Sequence, residues 1–415
     1  IATISCFSSE HVIASISGGA GRRMGLIMIF SLFFAYMFIS KFYRIKENDF
    51  MLFGAVSIFM SFVALLQYNG VNVFSLQDGL SDWDKYRFLS FSGNINIFSS
   101  FICIALSLSM YMFCFSEKKK NTVFWNVASF VTFIALLAAI SDSAYLGLAA
   151  AMVALGIITA KEKKTFQRFM ILIITLFVSA GLFSLIWKLF GDPERPGSVP
   201  NQIITNPWVI AAGIIVASLV IAAINIFKFS EKFYKAIRIF IVVALVAVIV
   251  SCVVTVVWFT FVDTTAEIGK LSNYLRISDR WGNGRAYVWT KLIEIFSDLS
   301  FGKKLIGTGA DTIAFELVPR HNDEMHELFG FYFDNAHNDL VQYLITFGLC
   351  GMVSYVLLVF FAVKSCLKAS STIKKAMFLP ILAFFVQSLV NITQPITTPL
   401  FFVFLAFSQC KTYED

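Results

Sequence analysis

The residues whose types and spacing could do chemistry sit in one polar stretch, 262–339, of an otherwise apolar chain. It holds three of the four histidines and the arginines Arg276, Arg280 and Arg285, and it ends in Asn335-Ala336-His337-Asn338-Asp339 just before a hydrophobic run. A neutral histidine can take a proton from a sugar hydroxyl, an effect worth about 10² to 10⁴ in rate. Guanidinium groups hold phosphate oxygens with two parallel hydrogen bonds and cannot lose their charge. A base beside fixed cations at a bilayer surface suits chemistry on a lipid-carried, negatively charged substrate.

Each of these residues also has a plainer reading. Arg276 and Arg280 are four apart, which puts them on one face if a helix forms there, and they could equally pair with Glu267, Asp279 or lipid headgroups. The segment from Val262 to Asp339 carries eight Lys/Arg against twelve Asp/Glu, so it is not a basic patch overall. His337 could cap a helix, with Asp339 as the expected N-cap. His321 and His326 lie in an acidic stretch, and no His/Cys spacing matches a metal site. Gly307-Thr308-Gly309 lacks the strand-loop-helix context of a phosphate cradle and reads as a turn. Further back, Arg87 precedes Gly93-Asn94-Ile95-Asn96, where Asn94 could line a polar entrance or cap the next helix. Arg22-Arg23 are arginines on the outer side with no orienting role, which invites a ligand.

The elements that must position these groups are membrane helices. At 58% hydrophobic and 14% charged residues, the composition excludes a soluble globular chain. Runs of about 20 apolar residues cross a hydrocarbon core, and none shows the alternation of a barrel. Spans are expected at 25–43, 50–68, 93–115, 122–140, 143–160, 169–190, 208–227, 239–261, 340–363, 376–392 and 397–410. Alternate connections are basic, including Lys118-Lys119-Lys120, Lys161/Lys163/Lys164 and Lys364/Lys368/Lys374/Lys375. By the positive-inside rule these face the cytoplasm. The 69–92 loop, the proline-bearing 191–207 loop, the 262–339 segment and the Thr393–Thr398 turn then face outward. Trp187, Trp208 and Trp258 fall at outward ends, as aromatic belts do. The first visible residue also falls outside, so one further span is expected before Ile1, making about twelve.

The expected fold is therefore all-α, a polytopic transmembrane helical bundle with a long helical extracytoplasmic loop. Its divisions are 1–261, 262–339 and 340–415. Within the loop, 264–270 and 276–297 read as helices, with Val288, Leu292, Ile295 and Phe296 as an apolar stripe. The seven cysteines are scattered, without a CxxC pair, and read as small hydrophobes, with Cys6 alone expected outside the lipid.

At these residues the chain resembles the O-antigen ligase and polymerase family of bacterial surface-polysaccharide enzymes. Gly284-Arg285 with Trp289 and Leu305-Ile306-Gly307-Thr308-Gly309 is similar to one of its motifs. Ala336-His337-Asn338-Asp339-Leu340 followed by Gly348 is similar to its "His, ten residues, Gly" motif, and Arg87 with Gly93-Asn94-Ile95-Asn96 to a third. Two positions depart from the pattern: Ser141-Asp142-Ser143-Ala144 stands where the family often has Ser-Arg, and Lys303-Lys304 where it has proline.

The resemblance implies a GT-C-like bundle and a metal-independent, inverting glycosyltransferase of the bacterial inner membrane. Its donor would be a glycan on undecaprenyl diphosphate, and its acceptor a lipid A core or a growing glycan, with membrane lipids around it and no nucleic acid or cofactor. His337 would be the general base. Arg285, with Arg280 and Arg87, would hold the diphosphate, while Asn338, Asn94 and Arg276 would be substrate contacts. A polysaccharide flippase and a non-catalytic assembly factor are the competing readings. Ion-coupled transport would call for charges in mid-span or broken helices.

Overall fold

A computed structural model describes residues 1–19, 22–190 and 197–412. The 191–196 part of the proline-bearing loop lies outside the described residues. The chain is 77% helical, with nearly no strand, and is an all-α polytopic membrane protein. A helix stands at each of the eleven expected spans, and eight are long and apolar enough to cross a membrane. Leu26–Phe42 and Thr398–Phe407 are shorter apolar helices. Trp187, Trp208 and Trp258 are exposed at helix ends.

The chain forms two compact units, one of residues 1–43, 248–365 and 388–410, the other of 44–247, 366–387 and 411–415. In the second unit the Ile95–Phe115 helix is the hub, buried along nearly its whole length. Lys119–Ala139, Asp142–Thr159 and Lys163–Phe190 pack on it. Small residues permit the closest approaches. A Cβ on Gly147 would stand 2.7 Å from the carbonyl oxygen of Ala383. One buried polar cluster crosses this unit: Gln387 Nε2 donates to the Ser100 and Ser143 hydroxyls at 3.1 and 3.3 Å. Arg44-Ile45 and Lys411-Thr412 form a short parallel bridge.

In the first unit the expected span 340–363 is not continuous. The Asp339–Lys368 helix is broken at Gly348, whose φ of 68° and ψ of −171° only glycine adopts readily. Tyr355 donates from its hydroxyl to Asp339 at 3.0 Å, and the Tyr343 and Tyr355 rings stack at 4.3 Å. Residues sixteen apart on a straight helix are about 24 Å apart, beyond the reach of these side chains. The chain therefore doubles back at Gly348, laying 339–347 along 349–365. Apolar composition alone produced the unbroken expectation.

The polar stretch also departs from its expected helices. Only a 3₁₀ turn, Gly269–Leu271, and one helical turn, Ser272–Leu275, form early in it. Arg276 to Arg280 are not helical, so these two arginines share no helix face. The reason is tertiary: the Arg276 side chain donates to the carbonyls of Phe259, Asp263 and Ala266, 17, 13 and 10 residues earlier, and its backbone is extended. The apolar stripe does form. Val288, Leu292 and Ile295 are buried with Ile313, Leu317 and Met325 of the Ile313–Phe329 helix, and with Phe333, Ala336 and Ile345. Two amphipathic helices thus bury their apolar faces together and carry the 333–338 loop on their edge.

Candidate functional site

His337 is held by the residues on either side of it. Asn335, 2% exposed, accepts the His337 backbone N–H on its side-chain oxygen at 2.8 Å, and its own carbonyl lies 3.2 Å from His337 Nδ1. A carbonyl can only accept, so Nδ1 carries the proton and Nε2 is the basic nitrogen of the neutral ring. The tight turn places His337 in left-handed backbone, at φ 52°. That conformation is uncommon for a residue with a side chain and is held only where surroundings insist on it. Phe333 meets the imidazole edge-on at 5.9 Å.

Arg285 arrives from the other side of the same loop. Gly282, Asn283 and Gly284 all have positive φ, so the helix runs regularly only from Arg285. Gly284 has a second constraint, since a Cβ there would lie 2.6 Å from the Phe333 ring. Arg285 Nη1 donates to Gly282 O at 3.0 Å. One turn further on, Trp289 Nε1 donates to the carbonyl of Ala336 at 2.8 Å. Residues four apart share a helix face, so the bond that fixes the residue before His337 comes from the face that carries the guanidinium.

A second cation was missing from the expected set. Arg22 makes a two-pronged pair with Asp334, Nε and Nη2 each 2.9 Å from a carboxylate oxygen. This pair brings the N-terminal segment to His337, where Arg22, like Arg285, bears on the imidazole electrostatically. The one signal for it in the sequence was an arginine on the outer side with no orienting role. Burial, reinforced by Arg285, lowers the His337 pKa to about 4; the hydrogen bond to the Asn335 carbonyl opposes this, and the smaller effects of Arg22, lowering, and its partner Asp334, raising, run against each other. The ring is therefore neutral at physiological pH, as a proton acceptor must be.

The remaining expected residues have other engagements. Asn338 Oδ1 accepts from the backbone of Leu340 and Val341, so Asn338 rather than Asp339 is the N-cap of the following helix. Asp339, one residue inside, accepts from Tyr355 and Thr393 and is buried. Arg280 is exposed at the head of the Trp281–Asp298 helix, and Arg276 staples its own segment. Arg87 and Asn94 belong to the second unit. Arg87 lies 5.6 Å above the Trp83 ring, and Asn94 caps Ile95–Phe115 by accepting from Asn96 N at 2.8 Å. His321 faces Glu324 at 3.4 Å. Among the described residues no three His, Cys, Asp or Glu side chains gather as metal ligands.

The glycine turn and the helix break explain each other. Thr308 N and Gly309 N donate to the carbonyls of Ile345 and Thr346, each at 3.0 Å, and Ser5 Oγ adds a bond to Thr346 O. A Cβ on Gly307 would lie 2.3 Å from Phe347 N, and one on Gly348 2.3 Å from Leu305 C. Two backbones in contact thus satisfy the carbonyls that the break releases, which buried backbone requires. Residues 203–356, which take in His337, Arg285 and both glycines, match the family model described as O-antigen ligase. No curated protein matches the chain.

Proposed function

We propose that this chain, which residues 203–356 place in the O-antigen ligase family, is a glycosyltransferase. It moves a glycan from undecaprenyl diphosphate to an acceptor hydroxyl at the outer face of the inner membrane. The acceptor is a lipid A core for a ligase, or another glycan for a polymerase. One observation carries the reading: a neutral imidazole with Nδ1 bound to the Asn335 carbonyl, under the joint influence of Arg285 and Arg22.

In the proposed reaction Nε2 of His337 takes the proton of the acceptor hydroxyl as its oxygen attacks the anomeric carbon. The glycosidic C–O bond to phosphate breaks, and undecaprenyl diphosphate leaves with the bonding electrons. The leaving diphosphate gains negative charge, which Arg285 stabilises as a fixed cation and fork, with Arg22 adding positive potential. Attack from the face opposite the diphosphate inverts the anomeric centre. Base and leaving-group stabilisation both come from side chains, so the scheme needs no divalent ion.

The break at Gly348 bears on the competing transport reading, because broken helices often line ion paths. Here the released carbonyls of Ile345 and Thr346 are taken by Thr308, Gly309 and Ser5, which leaves a positioning role for the break. The test is transfer by the purified full chain in nanodiscs, with a lipid-diphosphate glycan and acceptor, with and without EDTA. Product with the inverted anomer in both samples is expected. Strict dependence on a divalent ion would overturn the cation-free scheme, and translocation of the lipid-linked glycan without transfer would overturn the enzyme.

A further inference from the structure

The second unit contains a cavity of about 680 Å³ that the transfer site does not use. It lies between the end of the Glu47–Tyr68 helix, the 69–87 segment and Phe190. Its volume is within the roughly 300–1,000 Å³ of small-molecule sites. The alternation of basic loops places the 69–92 connection outward, the side on which glycans are handled.

The lining has the chemistry of a polyhydroxyl ligand. Gln67 and Asn69 present amides, Asp78 and Asp82 carboxylates, and Tyr86 and Phe190 aromatic rings. Planar amides and carboxylates accept and donate in pairs to neighbouring hydroxyls, and aromatic faces cover the apolar face of a sugar ring. Gln67 is 4% exposed, and its Nε2 meets no protein partner; neither does Asn69 Oδ1. Both atoms are sealed from solvent, so the polar groups that the cavity offers a ligand directly are the exposed Asp78, Asp82 and Lys85 side chains. At the rim, Gly70 and Gly79 have positive φ, and a Cβ on either would meet nothing within 4 Å. These glycines serve an open rim rather than close packing.

Charge separates this cavity from a diphosphate site. Among the described residues its ionic lining is Asp78, Asp82 and Lys85, and Lys85 Nζ is already 3.2 Å from Asp82. The net negative lining disfavours a phosphorylated headgroup and suits an uncharged glycan. We infer that the cavity formed by Gln67, Asn69, Asp78, Asp82 and Tyr86 is a binding site for a short stretch of neutral glycan, supplied by the acceptor chain or by the donor's sugars. The inference rests on the transferase reading for its biological role, but the binding itself can be measured separately.

The probe is the surface glycan of the source cells, freed from lipid by mild acid and sized to oligosaccharides. It is titrated against the full chain in nanodiscs, with binding read by saturation-transfer NMR and with Asp78→Ala/Asp82→Ala and Tyr86→Ala as variants. Saturable binding by the wild type, weakened at least tenfold in the variants, is expected. No binding by the wild type, or equal binding by folded variants, overturns the site. In transfer assays the same variants should raise one KM about tenfold at unchanged kcat, the acceptor's or the donor's according to which glycan occupies the cavity. Binding that is lost in the variants while the wild type transfers nothing would sink the transferase reading and leave the site standing.

Discussion

Two long apolar helices of this protein, Glu231–Val257 with 27 residues and Asp339–Lys368 with 30, look alike in sequence and do opposite things. No residue of the most apolar stretch of the first is buried in the protein, and its backbone runs on into a π turn at Trp258–Val262. Such a surface needs only to be greasy and helical, because lipid offers no partner for a backbone group. The second is broken at Gly348 and buries Asp339 against Tyr355 and Thr393. Irregular backbone and a buried carboxylate survive at such depth only where protein groups satisfy them. Hydropathy reads the first kind of helix and is blind to the second, and in this chain the second kind begins two residues after His337.

The sharpest way to break this contrast is Gly348→Ala. It adds a methyl group where backbone atoms of Leu305 and Ile306 stand within 2.5 Å, at a backbone conformation that costs about 1–3 kcal/mol for other residues. Loss of the folded protein in a thermal unfolding assay is expected, whereas Val248→Ala on the exposed helix should leave the midpoint unchanged. Equal, small effects would mean that the break is incidental. Next comes His337→Ala, which should cut transfer by about 10² to 10⁴ with normal insertion, the range for a lost general base. Normal turnover by that variant would remove the base from the mechanism. Arg285→Lys should be nearly as damaging as Arg285→Ala, because a point charge does not reproduce the guanidinium fork. Full activity with lysine would rule out two-pronged phosphate binding.

The same contrast explains what was legible in the sequence. Every expected span has a helix because apolar length and basic loops are local signals. His337 and Arg285 stood out because polar groups of catalytic type at the edge of a span have few structural uses. The motif "His, ten residues, Gly" was legible as a pattern, but its cause is a contact between Gly348 and the 305–307 backbone, which a linear reading cannot supply. Arg22 stayed in the background for the same reason, since its partner Asp334 is 312 residues away. Conversely, the helix expected over 276–297 failed at its start because Arg276 bonds to three distant carbonyls. Helical spacing states what a helix would do, not whether backbone partners elsewhere prevent it.

The site's electrostatics sharpen the comparison through pH. Burial first, and then the like charge of Arg285, lowers the His337 pKa to about 4. A bound diphosphate cancels part of that positive field, so the imidazole of the donor complex must have the higher pKa. The acidic limb of kcat, which reports the complex, should therefore lie at higher pH than that of kcat/KM, which reports the free enzyme. Arg285→Ala should raise the limb of kcat/KM, since it removes a lowering charge. A kcat limb at or below the kcat/KM limb would show that the cations and the base do not share one substrate.

The smallest expected effect belongs to Trp289→Phe, which keeps the ring but deletes the donor to the Ala336 carbonyl. One such bond is worth about 0.5–1.5 kcal/mol, and about 1.4 kcal/mol is a tenfold change in rate. If Trp289 acts only by holding the loop, its loss should lower kcat by up to about tenfold while leaving donor KM and the pH limbs in place. It touches neither the phosphate-binding fork nor the proton on His337. A shifted acidic limb would instead mean that the indole sets the environment of the base as well as its position. The buried, broken side of the molecule would then be tuning chemistry, where the exposed helix, with a uniform surface and no polar partner to lose, has nothing comparable to tune.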